Sequence, residues 1–275
     1  MNDRREDLAH RLGVELAGNT GFVRIHAAEA LAEHGYGFMV SAAFHAEAGT
    51  APPPIRVGVW RVLARIAEGS EERARFIDLL RKAMLDAQGP DRLQAAESLA
   101  KLGAANRSDR PAIEQWLASA DDATAAFLLW LLLLSSDAAE RARDETRLAG
   151  LLDSSDPTAR LRAAYALGRL ETIAPKSLDR MNERVAVEAS DSPARVYLLA
   201  AAFLHASRAS AQALALKKEM LAFLKTGKGN EQLEAATAIG MRGSADDAPA
   251  LDQALQSREA DGRIGAAGAL LQIGL

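Results

Sequence analysis

Two histidines stand beside carboxylates at spacings that could bind a metal or move a proton. His26 and Glu29 are three residues apart and Glu33 follows one turn later, so a helix would place all three on one side. With His45 and Glu47 in the next segment they compose a donor set suited to a divalent metal. The alternative function this allows is a small-molecule or metal-dependent enzyme or binding protein, with His26, Glu29, Arg61 and Glu97 around a pocket formed by the first three repeats. Against both stands the plainer reading, that these are solvated surface residues, since a His-x-Glu such as HAEAG arises readily by chance. The chain has no cysteine, which removes disulfides, thiolate metal sites and a thiol nucleophile. No nucleophile elbow, phosphate loop or dinucleotide fingerprint occurs, and the serines fall mostly in turns and helix caps. The sequence therefore predicts no catalytic residue, no cofactor and no resident metal.

What the chain does declare is repetition. Eight phrases are variations of one another: RIHAAEAL from Arg24, RVGVWRVL from Arg56, RLQAAESL from Arg92, TAAFLLWL from Thr124, RLRAAYAL from Arg160, RVYLLAAA from Arg195, QLEAATAI from Gln232 and RIGAAGAL from Arg263. Their first residues lie 32, 36, 32, 36, 35, 37 and 31 apart, a period that belongs to stacked helix pairs. Partner helices are expected between the phrases, over residues 4–18, 38–48, 71–87, 111–118, 138–152, 175–189, 211–225 and 249–257. Breaker-rich turns such as GNTG, GTAPPP, SSDP and TGKGN separate them. No alternating β-branched run supports a sheet, and no long flexible segment divides the chain. One domain over residues 1–275 is expected, with repeats beginning near 2, 37, 70, 107, 137, 174, 208 and 245.

Counting the first residue of each phrase as position zero, positions 1, 4, 7 and 8 share an apolar side that must face the core. Positions 2, 5 and 9 gather opposite.

The phrases resemble the HEAT-like repeat, in the short bacterial variety also found in phycobilin lyases, whose second helix reads V-R-x-x-A-A-x-A-L-G. Phrases one, three, five and eight fit closely, and seven fits with Gln232 in the arginine place. Two, four and six replace alanine with larger residues. The resemblance implies an all-α, right-handed α-α superhelix of about eight helix pairs, with positions 2, 5 and 9 lining its concave side. It implies that the recurrent arginine is structural, one rung of an Asp–Arg ladder to which Asp156 and Asp191 would belong. HEAT-fold hydroxylases hold two irons with His-Glu dipeptides, and this chain has none. HEAT-fold DNA glycosylases present a basic groove, whereas this chain is net −4 and its Trp60 and Trp130 fall near the core side. A tetrapyrrole could use the apolar middle and its arginines, with no independent feature to favour it.

On this reading the stripe runs His26/Glu29/Glu33, Gly58/Arg61/Arg65, Gln94/Glu97/Lys101, Ala126/Leu129/Leu133, Arg162/Tyr165/Arg169, Tyr197/Ala200/Leu204, Glu234/Thr237/Met241 and Gly265/Gly268/Gln272. Its apolar middle, flanked by arginines, suits an interaction surface. The expected function is a non-catalytic scaffold binding a protein or peptide, with Leu129, Leu133, Tyr165 and Tyr197 as anchors and Arg61, Glu97, Arg162 and Arg169 setting orientation. The alternative weighed for the apolar middle is burial by neighbouring helices.

Net charge and a mixed stripe argue against nucleic acid or an anionic membrane as partner. The most apolar stretch, 127–134, is far below the roughly 20 residues of a membrane span. The charged start MNDRREDLAHRL carries no apolar signal core, so a soluble, cytoplasmic chain is expected. The last phrase ends at Ile273-Gly-Leu275 without a polar closing helix, so a second copy or a parent domain is expected to cover it.

Overall fold

The computed structural model describes residues 2–208 and 210–274. They contain sixteen α-helices and no strand. The first helices of the eight pairs are α1 (Asn2–Gly18), α3 (Phe38–Glu47), α5 (Ser70–Leu85), α7 (Arg110–Leu117), α9 (Ala138–Gly150), α11 (Pro175–Val187), α13 (Ala211–Thr226) and α15 (Ala248–Ala254). The second helices carry the phrases: α2 (Gly21–Glu33), α4 (Ile55–Ile66), α6 (Arg92–Lys101), α8 (Asp122–Leu133), α10 (Pro157–Gly168), α12 (Arg195–His205), α14 (Gly229–Arg242) and α16 (Ala260–Gln272). The chain is thus all-α and repeat-like, with sequential helix pairs consistent with an α-α solenoid of about eight pairs.

Local chemistry sets the ends of these helices. Asp137 and Glu140 form a reciprocal capping box at the start of α9. Asp121 accepts from the Thr124 amide to start α8, and Asp156 accepts from Thr158 ahead of Pro157 in α10. Two phrase helices stop on a left-handed glycine. Gly35 (φ 89°) and Gly103 (φ 61°) let Tyr36 and Ala104 donate back to Leu31 and Leu99, at 2.8 and 2.9 Å, the Schellman closure.

The helices gather into two compact units, one of residues 1–76 with 214–275 and the other of 77–213. The divisions fall inside α5 and α13 rather than in linkers. In the second unit the phrase helices lie side by side in the order α6, α8, α10, α12. In the first unit the order is α14, α16, α2, α4, so the two ends of the chain meet in its interior.

Positions 4 and 7 of the phrase are buried in all eight repeats, as the period requires. Position 3 is buried in all eight as well, and position 6 in seven, which a count of one apolar side does not foresee. The reason is crowding, greatest in the middle of each unit, where α2, α8, α10 and α16 each pack on their partner helix and on phrase helices at both flanks. Helix α8, apolar all round, has ten residues buried.

The recurrent arginine is structural, but its partners differ from those the resemblance implied. At Arg24, Arg92 and Arg160 it reaches forward to the first helix of the next pair or the residue that ends it. Arg24 forks onto Glu47 at 2.6 and 2.8 Å, and Arg160 onto Glu188 at 2.7 and 2.9 Å. Arg92 lies 3.8 Å over the Trp116 ring. It also ties down its own hairpin, as when Arg160 donates to the Ser154 carbonyl at 2.8 Å. Gln232 does both jobs in the arginine place, donating to the Leu224 carbonyl and accepting from Ser257. Asp156 is a helix cap instead, and Asp191 is exposed.

The same rule operates where the chain ends meet. Arg263 of α16 forks onto Glu15 of α1 at 2.6 and 2.9 Å, treating α1 as the first helix of the next pair. Arg4 pairs with Asp252, Arg5 donates to the Leu271 carbonyl, and His26 of α2 meets Asp261 at 2.9 Å. The last phrase helix, expected to be covered by a second copy or a parent domain, packs on α1 and α2 of the same chain, and Ile264, Leu270 and Leu271 are buried.

Candidate functional site

The candidate site lies on the second unit and centres on Tyr165. Helix α10 carries Arg162, Tyr165 and Arg169 at three- and four-residue steps, which sets them on one side. That is the stripe side, and on α10 all three are half-buried. The Tyr165 ring takes the Arg169 guanidinium at 4.4 Å and the Lys101 ammonium at 5.3 Å. It meets the Trp130 ring edge-on at 5.7 Å and the Tyr197 ring at 6.2 Å, both favourable for aromatic quadrupoles. Arg162 lies 5.0 Å over the Phe127 ring and donates to the Ala123 carbonyl. Tyr165, Tyr197, Arg162 and Arg169 are all half-buried, so the cluster is ordered yet open on one side.

Two expected anchors are not on this surface. Leu129 and Leu133 are 2% and 1% exposed. Helix α8 sits between α6 and α10, so the Lys101–Tyr165 contact passes over it and covers its stripe side. Both leucines are closed in by their neighbours. Arg61 is corrected in the same way. It is 3% exposed and donates to Glu29 at 2.6 Å, while Arg65 pairs with Glu33 beside it. Glu97 holds Lys101 at 2.8 Å, one turn along α6.

Sequence reasoning undervalues three contributors. Lys101 belongs to the stripe without standing out from it, although its place four residues after Glu97 is a signal for a fixed orientation. Phe127 and Trp130 read as core or border residues; they are buried, yet each touches a stripe residue. The Trp130 indole N–H is buried without a hydrogen-bond partner.

The alternative pocket takes a different form from the one expected. His26 faces Asp261, Glu29 and Arg61 satisfy each other, and Glu97 belongs to the second unit. His45 bonds Glu72 at 2.7 Å, and that carboxylate raises its pKa above the ordinary histidine value. Among the described residues no group of three or more His, Asp or Glu is placed to hold a metal. No helix among them is long and apolar enough to cross a membrane. A cavity of about 160 Å³ opens in the first unit between α1, α15 and α16, lined by Arg11, Leu12, Val14, Glu15, Leu255, Arg263 and Ala267. None of the four alternative-pocket residues lines it, and its charged groups are engaged in the Arg263–Glu15 and Arg11–Asp7 pairs.

No family model matches the chain, and no curated protein matches it. Among solved structures it is similar to an engineered protein from the Northeast Structural Genomics Consortium. The two share 19% identity, over 96% of this chain and 78% of that one, with a TM-score of 0.38.

Proposed function

We propose that the chain is a HEAT-like repeat protein serving as a non-catalytic interaction module for a protein or peptide partner. Binding runs through the stripe side of the second unit, the side that the HEAT resemblance makes concave. The observation that carries this reading is the Tyr165 cluster. Two half-buried tyrosines are held edge to face, with cations already stacked on one of them. Tyrosine and arginine are enriched among the few residues that carry most of the energy in protein interfaces, because they offer large area and several donors. Pre-ordering by neighbours lowers the entropic cost of docking further. Leu129 and Leu133 act beneath this surface, as its floor.

The test is site-specific photocrosslinking in the native cells. A benzophenone amino acid in place of Tyr197 should give adducts identifiable by mass spectrometry, and the same group in place of Val187, exposed on α11, should not. The Tyr197-position adducts should vanish when Y165A and R169A are added while the helical signal is retained. Equal labelling from both positions, or adducts indifferent to the double substitution, would remove this face from consideration.

A further inference from the structure

Independently of that interaction reading, we infer that the cavity between α1, α15 and α16 binds a small neutral aromatic molecule, whose ring stacks on the Arg263 guanidinium. The cavity follows from a mismatch of lengths. Helix α1 has 17 residues and α15 has 7, about 25 and 10 Å of helix. Arg4, near the start of α1, pairs with Asp252, and α15 is finished at Ala254. From Arg11 to Glu15 the flank of α1 therefore borders a cavity, with Leu255 and, on α16, Arg263 and Ala267 completing its wall. Val14, at 56% exposure, is an apolar residue of that wall which the fold itself leaves uncovered.

The ligand's class is read from the arginines that open the phrases. Arg24 forks onto Glu47 with its edges while its face lies over the Phe44 ring, 4.8 Å from the centre. Both partners belong to α3, the first helix of the next pair. Arg92 likewise lies over Trp116 of α7. Arg263 repeats the first half of this arrangement, forking onto Glu15 and donating to the Ser257 and Arg258 carbonyls. Its in-plane donors are engaged, so what it has left for a neighbour is a face. The second half is missing, because α1 carries no Phe, Tyr or Trp along its length, and Arg263 lines a cavity instead. Arg160 also meets a first helix without an aromatic ring, but it is buried, at 9% exposure.

A guanidinium face attracts a ring electrostatically, and Leu12, Val14, Leu255 and Ala267 offer the ring an apolar surround. Charge on the ligand would count against it. A carboxylate would compete with Glu15 for Arg263, and an ammonium would compete with Arg263 and Asn19 for Glu15. The volume, about 160 Å³, also fits. An apolar cavity of roughly 150 Å³ is enough to take benzene. Such a ligand would touch α1 and α16 together, and so would tighten the joint of the chain ends by mass action.

The experiment is a methyl-resolved NMR titration of the full chain with indole. Saturable shifts are expected at Leu12, Val14, Leu255 and Ala267, at about millimolar indole or below. Leu129 and Leu133, in the second unit, should not move. Benzoate and benzylammonium, charged rings of similar size, should bind at least about tenfold more weakly, and cyclohexanol several-fold more weakly. A267M fills the cavity from α16, at a phrase position where the fold holds Trp60 in α4 and Leu199 in α12. L255F fills it from the end of α15. Each should weaken indole binding by about tenfold or more, as expected where the volume a ligand needs is occupied. R263K keeps the charge and loses the planar face, so it should weaken indole more than cyclohexanol. Circular dichroism confirms that each variant folds. No saturable shift, shifts not centred on these four residues, or equal binding of benzoate or cyclohexanol would each overturn the inference. So would indole binding untouched by both filling substitutions, or indole and cyclohexanol weakened alike by R263K. Crosslinking from the Tyr197 position succeeds or fails separately, since it reports on the second unit alone.

Discussion

Glu188 concentrates more structure on one carboxylate than any stripe residue does. It is 5% exposed and accepts from Arg160, from Arg184 one turn earlier and from Ser192 in the following turn. Burial alone would raise its pKa. The hydrogen bonds from Arg160, Ser192 and Arg184 outweigh that and hold it at about 2, against an ordinary 4.5. A carboxylate whose folded pKa is depressed stabilises fully above its unfolded value and loses that contribution as pH falls toward the folded one. The size is on the order of 3 kcal/mol. E188Q should therefore lower unfolding stability at pH 7 by about 2–4 kcal/mol, and the gap to the parent should narrow between about pH 4.5 and 2. Urea titrations across that range check it, and a constant gap would show that the charge is not what matters. A second substitution separates core from surface at the leucines. L129A should cost about 2–5 kcal/mol, the range for opening a cavity in a packed interior. A leucine presented to solvent would cost about 0.5 kcal/mol or less. The period correctly sets Leu129 and Leu133 on the stripe side of α8. It cannot say that Lys101 reaches across from α6, because periodicity orders residues within a helix and not side chains from the helix beyond.

Helices are the most legible level. The phrases at α2, α6, α10 and α16, and partner helices such as α3 and α11, stand within a few residues of where breakers and caps place them. Propensity and hydrophobic period are local, so a short window contains their whole signal. The seating of α16 on α1 is illegible for the converse reason. Glu15 and Arg263 are 248 residues apart, and nothing in either segment names the other. The carboxylate receivers Glu47, Glu188 and Glu15 sit on or beside partner helices that share little pattern, so the arginine is visible and its address is not. If α1 is a true next neighbour of α16, the Arg263–Glu15 pair should behave as Arg24–Glu47 does. Double-mutant cycles with R263A/E15A and with R24A/E47A should give coupling energies of the same order, about 0.5–1 kcal/mol for partly exposed forked pairs. A coupling near zero at Arg263 alone would mark the contact between the chain ends as incidental.

At the scale of the whole chain, the feature with most reach is that the first unit is assembled from both ends. No composition shift announces it, because its limits fall inside α5 and α13 and the repeats on either side use the same alphabet. Chain ends usually fray and exchange their amide hydrogens quickly. Here Leu8, Leu12 and Leu16 of α1 and Ile264, Leu270 and Leu271 of α16 are buried in one interior. Their amides should exchange together, slowly, and with similar opening free energies. Residue-resolved hydrogen exchange tests this, and fast exchange in α1 beside slow exchange in α16 would contradict it. The joining of the ends has a practical corollary. With no native thiol in the sequence, D3C and Q272C could carry a donor and an acceptor dye at exposed sites. Energy transfer between them would then follow the cohesion of the first unit by itself, so its dissolution could be timed separately from that of residues 77–213.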